Sequence, residues 1–142
     1  MSVAPRILVL CTGNSCRSQM AEGYLRHFLG DRAEVQSAGV VAHGLNPRAV
    51  TVMAETGIDI SAHRSKTIDE LEGEHFDHVI TVCDHARENC PWFPAAAKRW
   101  HQDFPDPAKA TGTDEEILDR FRQVRDQIRE YCVRFAHDID RR

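Results

Sequence analysis

The chain has 142 residues, 42% hydrophobic and 28% charged, which suits one folded domain, 1–142, large enough to bury a core. Its net charge is −4 and its Lys and Arg form no stripe, so nucleic acid is a poor fit as a partner. No apolar run approaches a bilayer span, and "MSVAPRILVLC" lacks the charged opening and cleavage site of a signal peptide, so a cytoplasmic protein away from membranes is expected.

"RILVLC" (Arg6 to Cys11) is an unbroken apolar run of the kind found in fully covered parallel strands. A helix follows from about Arg17 to Leu29, where Met20, Ala21, Tyr24, Leu25 and Phe28 recur on one face and Gly30 is a fitting stop. "AEVQSAG" reads as a second strand. "NPRAVTVMAETG" is a punctuated helix, with Asn46 as N-cap, Pro47 at the first helical position and Gly57 past its end. "DHVITVC" (Asp77 to Cys83) is a third strand and "KRWHQD" a short fourth. The last helix opens on a capping box between Thr113 and Glu116, and its stripe is Ile117, Phe121, Val124, Ile128, Cys132 and Phe135. Strands alternating with helices predict a three-layer α/β domain, a central four-stranded parallel sheet with helices on both faces. Ligands in such folds bind beyond the carboxyl ends of the strands, which is where Cys11 and Cys83 fall.

Five residues, "TGNSC", separate Cys11 from Arg17. A loop this short between strand and helix can curl so that its N–H groups form an anion-binding nest. Gly13 and Asn14 tolerate the positive φ that such curling requires. The helix adds its N-terminal N–H groups, and Arg17 adds a planar fork matched to a tetrahedral oxyanion. The predicted oxyanion loop is therefore Thr12, Gly13, Asn14, Ser15, Cys16 and Arg17. The same field is expected to lower the Cys11 thiol from ~8.5 toward roughly 3.5–7.5, with a further hydrogen bond from Ser18. Cys16 has no redox partner at suitable spacing and reads as a packing residue.

In a reducing compartment the five cysteines point to free, catalytic or metal-binding thiols. Cys83 and Cys90 could be two ordinary thiols, a metal pair with His85 between them, or a redox pair. Their C-x6-C spacing differs from the C-x2-C typical of zinc sites, so no metal is expected. Asp106, in "DFPDPAKATG", is either a turn residue or an acid.

"VLCTGNSCRSQMAEG" resembles the phosphate-binding loop of the low-molecular-weight protein tyrosine phosphatase fold, and within it most resembles the thioredoxin-coupled arsenate reductases. "SAGV", "NPRAV", "GIDISAHRSK", "VITVCDHARENCP" and "FPDPA" match that family in order. The resemblance implies Cys11 as nucleophile, Arg17 as oxyanion clamp, Ser18 as thiolate stabiliser and Asp106 as the acid for departing hydroxide. It further implies attack of Cys83 on Cys11, then of Cys90 on Cys83. One disulfide supplies the two electrons that arsenate reduction requires. Thioredoxin, or a glutaredoxin with glutathione, would regenerate the thiols. No cofactor is expected, and a monomer suffices.

If "DHARENC" is helical when reduced, Cys83 and Cys90 stand ~10 Å apart along the axis, too far for a disulfide. The segment from Cys83 to about Pro94 would then have to unwind on oxidation. Some family members hold potassium at positions matching Asn14, Glu22, Ser37 and residue 66, where an acidic ligand is replaced here by Lys66. Lys66 either fills that space beside Glu22 or Asn14, or is a solvated surface residue. The competing readings are a low-molecular-weight tyrosine phosphatase, which needs neither Cys83 nor Cys90, and a non-catalytic thiol protein binding arsenite or zinc. Ala108, where the phosphatases usually carry an aromatic residue, favours the reductase.

Overall fold

The structure, a computed structural model, describes residues 4–89 and 97–140. Four parallel strands, β1 (Arg6–Cys11), β2 (Glu34–Gly39), β3 (His78–Thr81) and β4 (Lys98–His101), form one sheet in the order β2-β1-β3-β4. Ile7, Leu8, Val9, Leu10 and Cys11 are all buried although neighbouring side chains point to opposite faces, so β1 is covered on both sides. The helices are α1 (Arg17–Leu29), α2 (Pro47–Ala54), α3 (Asp84–Asn89) and α4 (Asp114–Asp140). The sheet and its helices match the expected class.

The local chemistry accounts for most boundaries. Asn46 Oδ1 accepts from the Arg48 N–H at 2.8 Å and Pro47 opens α2. The helix ends at Ala54, and a turn with Gly57 at φ 83° completes the stop. Thr113 and Glu116 form the reciprocal capping box of α4. Of the α4 stripe, Phe121, Val124, Ile128, Cys132 and Phe135 are buried and Ile117 partly so, packing α4 against α1 and α2. Each such side chain contributes about 1.5–3 kcal/mol of burial.

Two expected strands are shorter than read. β3 ends at Thr81 and β4 at His101, where each chain turns out to build the site. Val82 still donates to the Leu10 carbonyl and Phe104 to the Val82 carbonyl, so pairing lapses only at Cys83. A 3₁₀ turn, Ile68–Leu71, capped by Thr67 and Glu70, was not anticipated. No described helix is long and apolar enough to cross a membrane.

Candidate active site

Beyond the carboxyl end of β1 the chain makes the loop from Cys11 to Arg17, and its backbone is held from outside. The carbonyls of Cys11, Thr12, Gly13, Ser15 and Cys16 accept from the N–H groups of Val40, Val41, His43, Asn46 and Met20. The Asn14 carbonyl accepts from Gln19 Nε2 at 3.1 Å. A trans peptide whose C=O is pulled outward turns its N–H the other way. The N–H groups of residues 12–17 are thus turned to the inside of the loop, the arrangement a nest requires.

Asn14 is the residue that bends the loop, with φ 49° and no exposure. Its Nδ2 donates to Ser18 Oγ at 2.8 Å and Ser37 Oγ at 2.9 Å, and its Oδ1 accepts from the Lys66 N–H at 2.9 Å. Gly13 departs from expectation, since its φ is not positive. It is instead closely approached, since a Cβ there would meet the exposed His43 side chain, with Nδ1 at 2.6 Å. Gly39 was overlooked in the sequence. A Cβ on it would collide with the Val41 and Thr12 carbonyls and the Asn14 nitrogen, so only glycine lets the loop lie against β2.

The loop opens into a cavity of about 570 Å³. Arg17 spans it, with Nη1 donating to the Phe104 carbonyl at 3.0 Å and Nη2 3.7 Å from Asp106 Oδ2. Asp106 is oriented in turn by the Ala108 N–H, 3.0 Å from its Oδ1. Asp103 also lines the cavity, and its Oδ1 accepts from the Asp84 N–H at 3.0 Å. The structure therefore brings Cys11, Thr12, Gly13, Ser15, Cys16, Arg17, Cys83 and Asp106 to one cavity. Asn14 and Ser18 are buried behind it. Cys90 lies outside the described residues, as does the stretch 91–94 of the expected switch segment.

Cys83 closes the cavity beside Cys11. Its sulfur is 3.2 Å from Thr12 Oγ1 and 3.4 Å from the Ala86 nitrogen, and it receives a hydrogen bond from Cys11. These donors fix where the charge lies. The Cys11 hydrogen bond, assisted by Thr12, Ala86 and Arg17, pulls Cys83 down to about 5 against its burial. Cys11 is pushed well above the ordinary thiol range by donating to Cys83 and by burial, against the pull of Arg17 and the Ser18 backbone N–H. The expected Cys11 thiolate is thus corrected. Two touching thiols cannot both ionise, and the one with more donors takes the charge. Ser18 acts on Cys11 through its N–H, while its hydroxyl accepts from Asn14. Cys16 is buried and pushed up to about 11, as befits packing.

Behind the loop, Ser37 Oγ donates to Glu22 Oε1 at 2.6 Å, and Glu22 Oε2 pairs with Arg26 Nε at 2.8 Å. His63 Nε2 lies 3.6 Å from the same carboxylate. Lys66 is buried there rather than solvated; burial lowers its ammonium and the Glu22 charge opposes that shift. Among the described residues no three His, Cys, Asp or Glu side chains form a metal-holding group.

With this geometry in place, residues 6–142 match the low molecular weight phosphotyrosine protein phosphatase family. The chain belongs to that family. It is similar to the arsenate reductase of Halalkalibacterium halodurans, 54% identical over 130 residues that span 92% of this chain and 94% of the relative. Among solved structures it is similar to an arsenate reductase in the phosphate binding state (TM-score 0.72, 30% identity, covering 95% of this chain and 98% of the other). It is likewise similar to an arsenate reductase in the oxidized state (TM-score 0.77, 30% identity, 94% and 98%). The family's matches thus include arsenate reductases, and this chain sets a second thiol, Cys83, in the cavity that Cys11 lines.

Proposed function

We propose that this chain is an arsenate reductase that works by a thiol–disulfide cascade. The observation that carries the reading is Cys83, a second thiol set against Cys11 at the oxyanion loop, where hydrolysis of a phosphate ester needs only one. The names of its relatives point the same way.

Arsenate enters the loop as a phosphate would, held by N–H groups and by the Arg17 fork. The Cys11 sulfur attacks arsenic, and Asp106 protonates the departing hydroxide, which leaves as water. Cys83 then attacks the Cys11 sulfur. The S–As bond breaks with its electron pair going to arsenic, so arsenite leaves and a Cys11–Cys83 disulfide remains. Cys90 attacks Cys83, releasing the Cys11 thiolate and leaving Cys83–Cys90. An external dithiol, thioredoxin in our reading, returns the pair to thiols, and the protein acts as a cytoplasmic monomer.

The test is NADPH oxidation by thioredoxin and its reductase in the presence of this protein. The reading requires oxidation that depends on arsenate. Glutathione with glutaredoxin as the only effective donor would replace thioredoxin while leaving the cascade intact. No arsenite under either donor, with aryl phosphate hydrolysed, would leave a phosphatase.

A further inference from the structure

The cascade leaves a proton to be placed. Cys11 attacks as a thiolate, and the group to which its S–H already donates is Cys83. Passing the proton along that hydrogen bond frees Cys11, which Arg17 then stabilises, but leaves Cys83 as a thiol. Cys83 must lose the proton before it can attack in the second step.

A route out lies in the structure. Thr12 Oγ1 is 3.2 Å from Cys83 Sγ and also 3.2 Å from His85 Nδ1. His85 is on α3, two residues after Cys83, exposed and lining the same cavity. A hydroxyl between a thiol and an imidazole can accept from one while donating to the other. We propose that His85, acting through the Thr12 hydroxyl, withdraws the proton from Cys83 ahead of its attack on Cys11. The Cys83 proton passes to Thr12 Oγ1 and the original Thr12 proton passes to His85 Nδ1. Thr12 is unchanged, and a thiolate and an imidazolium result. The thiolate forms the S–S bond as the S–As pair goes to arsenic, and the exposed imidazolium releases its proton to water.

The inference rests on the reductase reading, since a phosphatase has no second thiol to deprotonate. His85 acts through Thr12, so it is a positioning residue rather than a catalytic one. Other groups set its field: Asp84 on its own helix, Arg17 and His43 from the loop side, and Asp103, Asp106 and Lys109 from the segment after β4. The relay operates in the form of the imidazole whose Nδ1 is unprotonated and can accept.

The experiment is single-turnover arsenite release from the reduced full chain between pH 5.5 and 9, comparing the parent with His85→Ala. Removing a general base lowers the rate by about tenfold or more at neutral pH and moves the rise of the pH profile to higher pH. Free imidazole in the buffer restores much of the rate, which it does not do for a residue that only shapes α3. Parent-like release with a parent-like profile overturns the relay, and so does slow release that imidazole fails to restore. A parent that releases no arsenite overturns the reductase reading itself, and the relay with it.

Discussion

Thr12 and Cys83, 71 residues apart in sequence, meet with Oγ1 and Sγ at 3.2 Å, and the contact ties the oxyanion loop to the start of α3. With Cys83 ionised the hydroxyl donates to the sulfur. The contact therefore belongs to the same set of donors that places the negative charge on Cys83 rather than on Cys11.

Cys83 is drawn down to about 5, so it is a thiolate at pH 6, whereas Cys11, pushed upward, retains its proton. The two are buried alike, at 2% and 3% exposure, so ionisation decides which reacts first. Brief labelling of the reduced protein with iodoacetamide at pH 6, followed by peptide mapping, is expected to mark Cys83 ahead of Cys11. The reverse order would contradict the assignment.

Asp106 and Arg17 form an ion pair at 3.7 Å, yet the proposed chemistry uses one as acid and the other as anion clamp. Asp106→Asn is expected to slow the first chemical step by about 10²–10⁴-fold. It should leave inorganic phosphate bound as well or better, since a carboxylate facing the anion site is gone. Arg17→Lys keeps the charge but loses the fork, and is expected to weaken phosphate binding. Competitive inhibition of aryl phosphate hydrolysis by phosphate reads both effects.

Lys66 places its cationic side chain in the buried region around Glu22, so a bound cation is not needed there. Turnover in potassium and in sodium chloride at equal ionic strength should agree within about twofold. A sharp rise specific to potassium would show that Lys66 leaves a cation site open.

The reduced protein has α3 helical over Asp84–Asn89, between the two downstream cysteines. A Cys83–Cys90 bond needs Cα atoms within roughly 7 Å, closer than a helix of this length allows. Amide exchange is therefore expected to be slow across 84–89 in the reduced chain and fast in the oxidised one. Equal protection in both states would rule out unwinding.

Gly39→Ala probes the support of the loop. The new Cβ would meet the Thr12 carbonyl at 2.7 Å and the Asn14 nitrogen at 2.8 Å. Overpacking of this kind costs about 1–3 kcal/mol, and here it displaces the loop backbone that forms the proposed anion site. The expected result is a lowered midpoint of thermal unfolding together with weakened phosphate binding. A variant that binds phosphate like the parent would show that the loop tolerates the shift.

The curl of the loop from Cys11 to Arg17 was legible because its determinants are local. Cys11, Asn14 and Arg17 lie within one turn between a strand and a helix, and the Gly-Asn pair marks the bend. The caps of α2 and α4 were legible for the same reason. What escaped the sequence depends on contacts across the fold. Gly39 matters only because β2 runs beside β1, and His85 reaches Thr12 only because β3 does so on the other side. The sharing of one proton between Cys11 and Cys83 follows from their contact, which spacing along the chain does not reveal. Lys66 could be read as surface or buried until the Asn14 side chain was seen to hold its backbone.

At the heart of the cascade, three cysteines pass two electrons in sequence from an external dithiol to arsenate. Its most direct measurement is arsenite released per chain by Cys90→Ser, first without and then with thioredoxin, its reductase and NADPH. One arsenite per chain and no further turnover are expected, with Cys11 and Cys83 joined in a disulfide by mass spectrometry. Sustained turnover at the parent's rate in Cys90→Ser, and equally in Cys83→Ser, would contradict the cascade.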